Sequence, residues 1–224
     1  MTGPLDQPSL LRSRPRQLVV VVGTGTEVGK TWVTARLAAA ALDAGRRVHA
    51  RKPAQSFEPG DDDAGRTDAQ ILGAATGEDP TAVCPSAHWY AVAMAPPMAA
   101  DVLGHPPLVA AELLDHLSWP ADADLVLVET AGGVRSPLAV DADSVDLCAH
   151  LAPDRVVLVA DAGLGTINAV TLSVAALDRW PLLVVLNRFD RADDLHRRNR
   201  DWLVGRSGLT CATDVEEAAA ALGL

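Results

Sequence analysis

Four short runs of apolar residues punctuate the chain: 18–22 (LVVVV), 125–128 (LVLV), 156–160 (VVLVA) and 182–186 (LLVVL). Each is apolar throughout, without polar alternation, as expected of strands covered on both faces. The segment 47–51 predicts one more strand, ending at Lys52-Pro53. Helical stretches lie between the runs: an Ala-rich one over 31–42, closed near Gly45, and others over 68–75, 109–117, 144–151 and 167–177. Residues 54–66 read as a polar loop, the proline-rich stretch 77–107 has no assignable period, and the tail after 187 reads as helix, turn, helix.

Strands alternating with helices predict an α/β fold, a mostly parallel sheet flanked by helices. In such sheets ligands gather beyond the carboxyl ends of the strands. Thr24, Lys52, Glu129, Asp161 and Asn187 all fall just past predicted strand ends, so one rim of the sheet collects the polar residues. With no internal repeat or low-complexity linker, residues 18–224 are expected to form a single domain. Residues 1–17 carry Arg12, Arg14 and Arg16 among prolines without an apolar core, and read as a flexible N-terminal extension, not a signal peptide.

Composition narrows the class. A 49% hydrophobic fraction over 224 residues is that of an ordinary globular protein. Acidic residues outnumber basic ones 29 to 19, a net charge of −10, which argues against nucleic acid or an anionic membrane surface as partner. No apolar run is long enough to span a bilayer. Cys84, Cys148 and Cys211 are widely separated and odd in number, as expected of free thiols in a reducing, cytoplasmic compartment. Of the 19 basic residues, 17 are arginines, and only Lys30 and Lys52 are lysines. A compact ammonium and an arginine fork are not interchangeable at a phosphate, so both lysines are candidates for chemistry.

The strongest motif is Gly23-Thr24-Gly25-Thr26-Glu27-Val28-Gly29-Lys30-Thr31, directly after a strand and opening a helix. It is a variant P-loop whose first glycine stands one residue early. Its backbone N–H groups would cradle phosphates at a helix N-terminus, with Lys30 reaching the β- and γ-phosphates and Thr31 placing its hydroxyl on Mg²⁺. Lys52, in Lys52-Pro53-Ala54-Gln55-Ser56, points toward the same rim, where an ammonium would stabilise charge on a transferring phosphoryl group. Mg²⁺ takes hard carboxylate oxygens; Glu129 and Asp68 are the favoured ligands, with Asp61, Asp62 and Asp63 as competitors. Asn187-Arg188-Phe189-Asp190 imitates a base-reading NKxD, and equally a helix-capping cluster. The six histidines form no HExxH or paired arrangement, and there is no GxSxG, so neither zinc nor serine-nucleophile chemistry has support.

Together GTGTEVGKT, KPAQS, Asp68, VLVETAGG with SPL behind it, GLGTIN and the strand ending VVLN resemble the dethiobiotin synthetase family, in family order from Leu18 to Asn187. The resemblance implies a fold of the P-loop NTPase type and a homodimeric ligase of biotin biosynthesis. That enzyme would close a ureido ring on 7,8-diaminononanoate with CO₂, ATP and Mg²⁺, through a carbamate and a carbamic–phosphoric anhydride. By position, the resemblance makes Lys52, Lys30 and Thr26 catalytic, and Thr26 and Ser56 substrate contacts. Asn168 would reach substrate across the dimer interface. Glu27, Val28, Gly29, Lys30, Thr31 and Trp32 would bind nucleotide with Glu129, Thr130, Ala131, Gly132 and the adenine contact Asn187. Thr31, Asp68 and Glu129 would hold Mg²⁺. Thr130 and Phe57 stand where the family has glycine.

Four other readings compete. A paralogous ligase acting on another small substrate shares every feature above. The cobyrinate-amidating enzymes need a glutaminase domain, for which there is no room. A partitioning ATPase of the MinD/ParA kind needs a lysine at position 25, which is glycine, and a small GTPase needs a DxxG after Asp161, which is missing.

Overall fold

The structure, a computed structural model, describes residues 14–224. Residues 1–13 of the expected extension lie outside the described residues. Arg14 pairs with Asp154 at 2.9 Å, and Gln17 already belongs to the first strand.

Six parallel strands form the central sheet: β1 (Gln17–Gly23), β2 (Val48–Arg51), β5 (Leu125–Glu129), β8 (Arg155–Asp161), β9 (Leu182–Asn187) and β10 (Cys211–Ala212), in the order β10-β9-β8-β1-β5-β2. Alternate residues of the apolar strands feed opposite cores. Val20, Val22, Val126, Val128, Leu158 and Ala160 face one way. Val19, Val21, Leu125, Leu127, Val157 and Val159 face the other. Helix α1 (Lys30–Asp43) and helix α9 (Val215–Leu222) cover the second face, with Val33, Leu37, Ala38, Ala41, Ala218 and Leu222 buried against it. Helices α5 (Ala110–His116), α6 (Ser144–Leu151) and α7 (Thr166–Ala176) contribute Leu113, Leu147 and Val170 to the first. The sheet is covered on both sides, so its strands had no need to alternate.

The predicted strands and most helices fall where the apolar pattern put them. The structure adds what that pattern could not carry. In the stretch 54–107, β3 (Gln55–Ser56) pairs in parallel with β4 (Trp89–Tyr90), joined through α2 (Asp68–Thr76), α3 (Pro80–Val83) and a short 3₁₀ turn at 86–88; α4 (Pro96–Val102) follows. A small antiparallel pair, β6 (Pro137–Ala139) with β7 (Ala142–Asp143), and the edge strand β10 also went unpredicted, because two- and three-residue strands have no period to read. Helix α8 (Asp194–Gly205) occupies the tail.

The order of the sheet positions the rim. Strand β5 lies between β1 and β2, so Glu129 ends between the P-loop and Lys52. On the outer edge of β2, the Ala50 N–H donates to the Glu78 carboxylate at 2.9 Å, and the Lys52 N–H donates to the Val83 carbonyl at 2.8 Å. The sheet edge is thereby closed and the lysine's backbone pinned.

Leu127 is wholly buried in the middle of β5. Truncation to alanine is expected to lower stability by about 2–5 kcal/mol, read from urea unfolding of the two proteins.

Candidate nucleotide and phosphate site

The loop from Gly23 to Gly29 turns the chain from β1 into α1. Gly29 sits at φ +89°, and a Cβ there would lie 2.1 Å from the Asn187 Nδ2. Only glycine satisfies both constraints. Asn187, at the end of β9, donates to the Val28 carbonyl at 2.9 Å, fastening the loop to the sheet. Arg188 adds a second tie, donating to the Glu27 carbonyl at 2.8 Å while pairing with Asp161 at 3.2 Å. Asp190 is not the cap of α8; that role belongs to Asp193, which accepts from the N–H groups of Leu195 and His196.

Lys30 is buried and donates to the Gly25 carbonyl at 2.9 Å. Burial, aided by the neighbouring charge of Lys52, lowers its pKa to about 8 against the pull of Glu129 and Asp68. Next to it in the first turn of α1, the Thr31 hydroxyl lies within hydrogen-bonding distance of two carboxylates, Asp68 Oδ1 (2.6 Å) and Glu129 Oε1 (2.9 Å). Lys52, 1% exposed, lies 2.6 Å from Asp68 and 2.7 Å from Glu129, and its ammonium also reaches the Thr130 carbonyl at 3.3 Å. Burial alone would depress the Lys52 pKa, but the two carboxylates outweigh it and hold it above the usual lysine range. Burial likewise pushes Asp68 upward, and Lys52 and the Thr31 hydroxyl bring it below the ordinary value.

Asp68 is therefore the acid that enters the site, not Asp61, which pairs with Arg66 at 2.6 Å. Its position at the start of α2 is set by a capping box between Thr67 and Gln70, and by Gln55, whose Oε1 accepts from the Ala69 N–H at 2.8 Å.

Thr26, Glu27, Lys30, Thr31, Lys52, Ser56, Asp68, Ala131 and Gly132 line one cleft of about 470 Å³, closed on the far side by Met94, Pro96 and Ser136. Glu129 and Thr130 lie directly behind it, wholly buried. The Ser56 hydroxyl has no hydrogen-bond partner although buried, a group left over for a ligand. Gly29, Trp32 and Asn187 line a second cleft of about 510 Å³ on the other side of the loop, with Arg188, Phe189 and residues 213–216. Asn168 joins neither cleft; it stands exposed on α7.

The two departures from the family pattern are absorbed. Thr130 does not adopt a left-handed conformation; in that turn the φ of +67° belongs to Gly132. Phe57 is largely buried and packs edge-on against Trp89, with ring centroids 6.2 Å apart.

Sequence reasoning missed Thr34, whose hydroxyl donates to Glu129 Oε2 at 2.7 Å and holds that carboxylate in place. Its spacing from Thr31, three residues along one helix face, was the available signal. It also missed Ser136, which accepts from the Gly133 N–H at 2.8 Å, and Arg36 in the second cleft. Ser136 stands in the SPL of the resemblance, without a role assigned there; nothing local in the chain marks Arg36.

The chain matches the model of an AAA domain family over residues 17–219. It is 39% identical over 189 residues to the ATP-dependent dethiobiotin synthetase of Haloferax mediterranei, covering 80% of this chain and 75% of that protein. It is also 39% identical over 199 residues to the ATP-dependent dethiobiotin synthetase of Rhodococcus erythropolis, covering 86% and 85%. Among solved structures, the signal recognition particle receptor FtsY from Elizabethkingia anophelis aligns at TM-score 0.50 and 19% identity, over 93% of this chain and 64% of that one. A DUF1611 family protein from Anabaena variabilis aligns at TM-score 0.53 and 16% identity, over 99% and 62%. At such identities the likeness is one of fold alone, and the chain spans less than two thirds of either protein. From the sequence relatives and the family model together, the chain belongs to the AAA domain family and, within it, to the ATP-dependent dethiobiotin synthetases.

Proposed function

We propose that the chain is an ATP-dependent dethiobiotin synthetase of biotin biosynthesis, a ligase forming C–N bonds, carried by one P-loop domain over residues 18–224. The reading rests on one observation above the others. Lys30 and Lys52, the chain's two lysines, line a single cleft, with Thr31, Asp68 and Glu129 converging between them. A nucleotide switch needs the first lysine, but a second ammonium over the same cleft suits a substrate that itself becomes an anion and is phosphorylated.

The donor set fits Mg²⁺. Thr31 Oγ1, Asp68 and Glu129 are all hard oxygen donors within hydrogen-bond distance of one another, and both carboxylates already share a cation, the Lys52 ammonium. When bound, Mg²⁺ would neutralise charge on the phosphate oxygens. The polypeptide supplies the rest. The backbone of residues 27–30 and the Lys30 ammonium hold the β- and γ-phosphates, and the second cleft, with Asn187 and Trp32, takes the base. Thr26 and the unpartnered Ser56 hydroxyl orient 7,8-diaminononanoate.

One amine of that substrate captures CO₂ as a carbamate, losing a proton. A carbamate oxygen attacks the γ-phosphorus, the bond to the bridging oxygen breaks, and ADP leaves. The second amine then adds to the carbonyl of the mixed anhydride and expels phosphate, closing the ring. At each stage negative charge lies within reach of Lys52, whose task is to stabilise that charge in a site largely removed from water. Asn168 is too far around the fold to serve its own cleft. With exposed Leu172 one turn further along α7 and exposed Leu164 just before the helix, it supports a homodimer in which this face meets a second copy near the substrate.

Incubation with 7,8-diaminononanoate, bicarbonate, Mg²⁺ and ATP is expected to yield dethiobiotin; ATP hydrolysis without that product would favour a paralogous ligase. Lys52→Gln is expected to slow ring closure by about 10²–10³-fold with ATP affinity nearly unchanged. Because the change strips a buried carboxylate pair of its cation, it should also lower stability in Mg²⁺-free buffer. The expected loss is at the lower end of roughly 3–5 kcal/mol, since Asp68 is partly exposed. Added Mg²⁺ should recover more stability in the variant than in the parent. Unaltered turnover removes Lys52 from the mechanism.

A lysine pKa near 8 in the free protein has a further consequence for nucleotide binding. Phosphates favour the charged form, so ATP binding above about pH 8 takes up a proton and affinity weakens as pH rises, by at most about tenfold per pH unit. Calorimetry in two buffers of different ionisation enthalpy measures that uptake. Lys30→Arg, always charged, should abolish it.

A further inference from the structure

The fold assembles a cluster that no spacing in the sequence announces. His88, in the 3₁₀ turn before β4, meets Glu112 and His116, one turn apart on α5, with one potential ligand atom from each lying within 4.8 Å of the other two. The His88 and His116 ring centroids are 4.8 Å apart, at 64°.

Hydrogen bonding fixes the state of the buried ring. His88 is 1% exposed, and its Nδ1 lies 2.8 Å from the Pro53 carbonyl. A carbonyl only accepts, so Nδ1 carries the proton. In the neutral ring the Nε2 lone pair then points at Glu112 Oε1, 3.5 Å away. An ionised carboxylate is also only an acceptor. Two acceptors facing each other in a half-buried place call for a cation between them. The separation is long for a hydrogen bond. It matches the edge of a metal tetrahedron, where ligands about 2.0–2.1 Å from zinc stand roughly 3.4 Å apart. A histidine fixed by Nδ1–H donation to a backbone carbonyl, with Nε2 left free, is also the arrangement in which imidazole ligates metals.

We propose that His88 Nε2, a Glu112 carboxylate oxygen and a His116 ring nitrogen form a site for Zn²⁺, with a fourth position open to solvent. Nitrogen donors exclude Mg²⁺ in favour of a transition ion, and two imidazoles with one carboxylate suit zinc. Entry is from outside: His116 is exposed, and the Glu112 side chain is 43% exposed. The site is separate from the Thr31, Asp68 and Glu129 set. Its inner ligand is hydrogen-bonded to the residue that follows Lys52, so the ion would tie α5 to the strand end carrying that lysine.

The test uses the full chain, stripped with EDTA, exchanged out of the chelator and held in excess Mg²⁺ to occupy oxygen-only sites. Zn²⁺ is titrated against a chromophoric chelator, and Co²⁺ is added separately as a spectroscopic probe. One Zn²⁺ per chain is expected, with the visible d–d absorption of a four-coordinate Co²⁺ site. Glu112→Gln and His116→Ala, both on the solvent side, should keep the parent's melting temperature in EDTA. Each should weaken Zn²⁺ binding by at least about tenfold and abolish the Co²⁺ band. Failure of the parent to bind Zn²⁺ stoichiometrically overturns the proposal and leaves a protonated histidine as the shared cation. Variants that bind as tightly as the parent overturn it equally.

Discussion

One ion-pair network organises the molecule: a lysine ammonium buried between two carboxylates, with a second lysine close enough to feel its charge. Lys52, Asp68 and Glu129 come from three different segments, the end of β2, the start of α2 and the end of β5. Charges in such a place are tolerated only when paired and hydrogen-bonded. Much of the local structure reads as support for that pairing. Thr31 and Thr34 hold the carboxylates from α1, a capping box and Gln55 set the start of α2, and Val83 and His88 hold the backbone around Lys52.

The parallel sheet makes the network possible. Running every strand the same way brings Gly23, Arg51, Glu129, Asp161 and Asn187 to one rim, and inserting β5 between β1 and β2 places an acid between two lysines. The apolar interior of each strand builds the two cores, and the residues at and just past the strand ends make up the rim. That division lets one segment satisfy both demands without compromise.

The same division explains what could be read in the chain. Continuous apolar runs identified the buried strands, and the glycine loop with its lysine and threonine pointed to the end of the sheet where the cleft lies, because both are local signals with a fixed period or spacing. The scarcity of lysine pointed at Lys52 before any contact was known. Segments of two or three residues, such as β3, β4 and β10, gave no such signal. Neither did functions assembled over distance. The meeting of His88 with Glu112 and His116 depends on how the proline-rich stretch and α5 fold back on the sheet, and the place of Arg36 on how α1 meets residues 213–216, which no window of sequence contains. Asn168 was noticed through resemblance, and its exposed place on α7 separates it from every other candidate in the chain.

Gly29 and Asn187 lie in close contact: any side chain at position 29 would collide with the asparagine amide that ties the loop to β9. Both line the second cleft, while Thr26, Glu27 and Lys30 of the same loop line the first. The shape of the second cleft and the curvature of the loop are thus mechanically one property. A substitution at position 187 that removed the amide would free the loop facing both clefts while reshaping the wall of one.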